Sequence, residues 1–100
     1  MASLHSSVPA SRVTPLIAAP VRADRSWVLY WMVAARRSSF NFSLERAAEY
    51  ARQLGRPLLV LEALRCDYPW ASDRLHRFII EGMADNRAAL ERSNAIYYPY

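Results

Sequence analysis

Arg36 and Arg37 stand side by side four to five residues ahead of Asn41. Two guanidiniums beside a helix start could hold an anionic group, because their donors and the orphan amides of a first helical turn both favour negative charge. Two solvated loop arginines fit the same residues, and local evidence favours that plainer reading. Neither GxGxxG nor GxxxxGK[ST] occurs, so no Gly-rich phosphate cradle is expected. His5 and His76 are the only histidines, and neither has a second His or a Cys at metal-ligand spacing. No metal site is expected. Asp73 and His76 lie three apart on one helical face, but no nucleophile is placed to complete a triad. Cys66 is the only cysteine, so an intrachain disulfide is impossible, and its place between Arg65 and Asp67 reads as filler. No catalytic residue is predicted on this chain. The only candidate ligand contacts are Arg37 and Asn41.

The elements that position these residues follow from hydrophobic period. Residues 27–33 form a continuous apolar run rich in aromatic and β-branched side chains, as a strand buried on both faces requires. Trp27 and Trp31 are expected in the core rather than in photochemistry or base stacking, whereas Trp70 sits in a loop and is open to either reading. A polar loop over 34–39 follows. Leu44, Ala47, Ala48, Ala51 and Leu54 then make one helical stripe, with Asn41 or Ser43 as cap, Gly55 at the C-terminal end and Pro57 blocking continuation. The second strand is predicted over 57–64, apolar apart from Glu62. A second helix begins near Ser72 and ends near Asn94. Its stripe runs through Leu75, Phe78, Ile79, Gly82, Met83, Asn86 and Leu90, with Gly82 expected to admit a close backbone. Ile96, Tyr97 and Tyr98 start a third strand.

Alternation of strand and helix implies an α/β fold with a parallel sheet. Right-handed crossovers in one direction give strand order 3-2-1, with both helices on one face. This is the first half of a Rossmann-like doubly wound domain. Its other sheet face is bare and its first strand is an open edge, so the second half of such a domain, or self-association, is expected to cover them. The expected division is an extended arm over 1–25 and a truncated α/β domain over 26–100. The arm has the Ser, Ala and Arg content of a transit peptide, but Pro9, Pro15 and Pro20 oppose the amphipathic helix such a peptide needs. Cytoplasmic location is the default. No apolar run approaches the roughly 18 residues of a membrane span. Net charge is +4 with every basic residue an Arg, which is compatible with nucleic acid without arguing for it.

Two stretches carry a family resemblance. Val28-Leu29-Tyr30-Trp31-Met32, followed by Arg37, Asn41, Leu44 and Ala47, resembles the opening of the photolyase and cryptochrome family. Its Tyr-Trp-Met form is most similar to class II cyclobutane pyrimidine dimer photolyases. Tyr68-Pro69, then Arg74 to Phe78, then Glu81-Gly82-Met83, is similar to a later segment of the same family, and the arm from Arg12 to Arg22 is similar to its lead-in. Members usually carry acids where this chain has Ala35 and Phe40. The resemblance implies a two-domain flavoprotein that splits pyrimidine dimers in damaged DNA by light-driven electron transfer from FAD. It places FAD and lesion in a C-terminal helical domain, and an antenna pigment, a folate or a deazaflavin, in the N-terminal α/β domain. The chain then reads as an N-terminal fragment that binds no cofactor and is inactive alone. A stand-alone nucleotide- or pigment-binding module and a non-functional gene remnant are the alternatives.

Overall fold

The computed structural model describes residues 6–17, 19–65 and 72–100. His5, Cys66, Tyr68, Pro69 and Trp70 lie outside the described residues. A short 3-10 turn, Ala10–Arg12, precedes β1 (Val28–Trp31), α1 (Phe42–Leu54), β2 (Leu58–Glu62), α2 (Asp73–Leu90) and β3 (Ile96–Pro99). The strands form one parallel sheet in the order β1-β2-β3.

Local chemistry sets the boundaries. The Asn41 side chain accepts the Leu44 amide at 3.0 Å and so caps α1. Gly55 closes the helix in the left-handed region, φ 65°, and Arg56 returns its amide to Ala51 O at 3.0 Å. Ser72 caps α2 by accepting the Leu75 amide at 3.2 Å. α2 stops at Leu90, earlier than the expected Asn94, where Ser93 donates its hydroxyl back to Leu90 O. The expected close approach at Gly82 does not occur among the described residues, since a Cβ there would meet none of them within 4 Å.

Both helices cover the same sheet face. Tyr30 and Met32 of the first strand run, Leu58 and Val60 of β2, Ala51 of α1 and Leu90 of α2 form one buried cluster. Burial of each large member is worth about 1.5–3 kcal/mol. The alternate residues point the other way. Pairing register stacks Leu29, Leu59 and Ile96 in one row, and Trp31, Leu61 and Tyr98 in the next. Trp27, Leu29, Trp31, Val33, Ile96 and Tyr98 are all at least half exposed. This corrects the placement of Trp27 and Trp31 in the core, because only the even-numbered side of β1 faces a helix. Phe78 is likewise exposed, so the stripe of α2 is buried only from Met83 to Leu90.

Candidate functional site

The strands point their carboxyl ends at the loop between β1 and α1, the place where ligands of such sheets bind. Two residues in that loop hold left-handed backbone without being glycine, Ala35 at φ 51° and Phe40 at φ 52°. Each such residue costs about 1–2 kcal/mol, so other contacts must impose the conformation.

Asn41 supplies several of them. Besides its cap, its Nδ2 lies 3.0 Å from the Ala35 carbonyl, the Arg37 carbonyl and the Tyr30 hydroxyl. The residue is buried, and its amide is spent on the loop's own backbone. Arg37 remains exposed and wraps back on the loop, giving Nε to the Ser39 carbonyl at 3.1 Å and a terminal nitrogen to Phe40 O at 2.9 Å. The two candidate residues therefore meet in one loop, Asn41 as its internal brace and Arg37 on its outer side.

Arg36 turns the other way. Its Nε sits 2.7 Å from Glu62 Oε2, and a terminal nitrogen donates to Ala63 O. Glu62 is 1% exposed. Its other oxygen accepts from Asn86 Nδ2 at 3.0 Å and from the Tyr97 hydroxyl at 2.6 Å. Asn86 also donates to the Arg36 carbonyl at 3.2 Å. One carboxylate thus ties the loop to β2, α2 and β3. Burial first, then the hydrogen bond and charge of Glu62, push the Tyr97 phenol well above its ordinary range. A buried carboxylate needs this degree of satisfaction, since an unpaired one would neutralise or destabilise the fold. The sequence signal was a single acid at the end of an apolar strand. Its partners lie 24 to 35 residues away in the chain.

Among the described residues no group of three His, Cys, Asp or Glu side chains gathers to hold a metal ion. None of the described helices is long and apolar enough to cross a membrane.

Sixty-five residues of the chain, 65% of its length, are 48% identical to the deoxyribodipyrimidine photo-lyase of Methanothermobacter thermautotrophicus. The match supports a photolyase-family relationship. It covers 15% of that protein, which is several times longer than the aligned stretch. No family model matches the chain, and no solved structure matches it.

Proposed function

We propose that this chain is the opening α/β segment of a photolyase-like flavoprotein of the class II type, acting in the cytoplasm on pyrimidine dimers in damaged DNA. The observation that carries the proposal is the 48% identity over 65 residues to a deoxyribodipyrimidine photo-lyase. In this reading FAD, lesion and electron transfer belong to further chain, and these residues have no lyase activity of their own. The bare sheet face agrees with such a division. Rows of apolar side chains, with Trp27, Trp31 and Tyr98 among them, are what a second half of a doubly wound domain covers. The braced loop after β1 is the natural place for an antenna pigment such as a folate or deazaflavin. Arg37 is its outward-facing contact and Asn41 the residue that shapes it.

The test compares two preparations. The native gene product is isolated with an antibody to this chain, and the 100-residue chain is purified alone. Flavin absorbance, roughly 370–450 nm, and blue-light repair of dimer-containing DNA are measured on both. The proposal expects a longer, coloured, repair-competent native product and a colourless, inactive short chain. A native product of this chain's own length, or pigment or repair on the short chain alone, would overturn it. Weak salt-sensitive DNA binding decides nothing, since an Arg-rich surface binds phosphates without specificity.

A further inference from the structure

The arm ahead of β1 is tied to the domain near its start, through Ser6 and Ser7, and again at Ala23, whose carbonyl accepts from the Arg56 guanidinium at 3.3 Å. Glu49, in the middle of α1, accepts the Ser6 hydroxyl at 2.5 Å, the Ser7 amide at 2.9 Å and the Ser7 hydroxyl at 3.3 Å. Val8, the next residue, is 6% exposed. Four residues on, the Arg12 guanidinium lies 5.6 Å from the Phe42 ring centre at the start of α1. Val13 and Thr14 then face Val28 to Trp31 across a groove of about 350 Å³, whose other wall is α1. The rest of the arm up to β1, where described, is exposed.

The strand bordering this groove has an unpaired side. Among the described residues β1 bonds only to β2, with Val28 and Met32 donating their amides to Pro57 O and Leu61 O. The alternate amides, of Leu29 and Trp31, therefore point toward the free edge. An edge of this kind invites another strand unless something stands beside it.

We propose that residues 6–14 are a releasable strap along the free edge of β1, with the Glu49 carboxylate as its clasp. Apolar contact holds little of the strap, because Val8 is its only buried residue. The clasp is a charged acceptor with several donors, which are stronger bonds than neutral ones. Opening it frees residues 6–14, because what then remains is the burial of one valine, Val8, and the exposed cation–π contact of Arg12 with Phe42, of small worth. A negative charge added at Ser7 would stand against Glu49 and open the strap by repulsion, so the same hydroxyl offers a route to control.

The experiment uses the full chain at low concentration. Trypsin cleavage after Arg12 reports strap release, and hydroxyl-radical labelling of Val28 and Tyr30, which line the groove under the strap, reports the edge. Glu49→Ala should raise both rates about tenfold, the scale of losing a hydrogen bond to a charged group, while Ala at mid-helix keeps α1 intact. Ser7→Glu should act in the same direction with Glu49 unchanged. Glu45→Ala, an exposed acid on the same helix, should leave both rates within twofold. Circular dichroism establishes that each variant is folded. Equal cleavage of Glu49→Ala and the parent would overturn the clasp. Faster cleavage with unchanged labelling at Val28 and Tyr30 would overturn the strap's place at the edge.

Discussion

Removing the Tyr97 hydroxyl tests whether the Glu62 cluster acts as a unit. In Tyr97→Phe one hydrogen bond to a carboxylate is lost, at 2.6 Å in the parent. Such bonds are worth about 1.5–3 kcal/mol, and the half-buried ring places this one near 1.5. Glu62→Gln removes the charge opposite Arg36 and sets an amide among donors. Breaking a buried pair costs about 3–5 kcal/mol. The Arg36 side chain is 27% exposed and can turn to water, which puts the loss near 3. The double variant should lose about 0.7 kcal/mol less than the two separate losses together, because an amide at position 62 still accepts from the hydroxyl but without charge, and a charge-assisted bond is roughly twice as strong as a neutral one. Urea unfolding followed by far-UV circular dichroism measures all four proteins. A loss below about 1 kcal/mol for Glu62→Gln, or strict additivity within about 0.5 kcal/mol, would refute the clamp. The loop would then owe its left-handed residues to Asn41 and Arg37.

Phe40→Gly should stabilise the chain by up to about 1 kcal/mol in the same melts, since φ is 52° and the ring is 93% exposed, with nothing to lose by its removal. The isolated chain should scatter light and associate through its bare face. Trp31→Lys with Tyr98→Thr should suppress that association on gel filtration while shifting stability by no more than about 0.5 kcal/mol; a monodisperse parent at high concentration would count against the face being open. The strap should also respond to acid. The Ser6 hydroxyl, then the Ser7 amide, hold the Glu49 carboxyl below the usual carboxylate range, with Arg46 at 3.7 Å adding to this. A lowered folded value gives stabilisation that is complete above the ordinary value of about 4.3. It is lost as pH falls through the folded value. Protection of the Ser7 and Val8 amides, taken as exchange relative to the intrinsic rate at each pH, should therefore fall on acidification below about pH 4, and unchanged protection down to pH 2 (roughly, below any clasped carboxylate) would contradict it.

Period and punctuation made the elements legible from the residues alone. The stripe of Leu44, Ala48 and Ala51 between Asn41 and Gly55 is a bounded helix by capping chemistry that needs no neighbours. Two apolar runs separated by it are parallel strands because a helix must cross between them, and the sheet order follows. Which side of β1 is covered was not legible. A continuous apolar run carries no alternation, so Trp31 and Met32 look alike in sequence, yet one is 64% exposed and the other 1%. Helices on a single face decide that difference. The Glu62 cluster was equally hidden. Arg36 read as a solvated loop cation and Asn86 as one more position on the α2 stripe. Only the packing of a loop, two strands and a helix brings their donors to one carboxylate. Periodicity is a property of neighbours in the chain, whereas charge satisfaction is a property of neighbours in space. The buried network and the strap's clasp therefore belong to the tertiary structure.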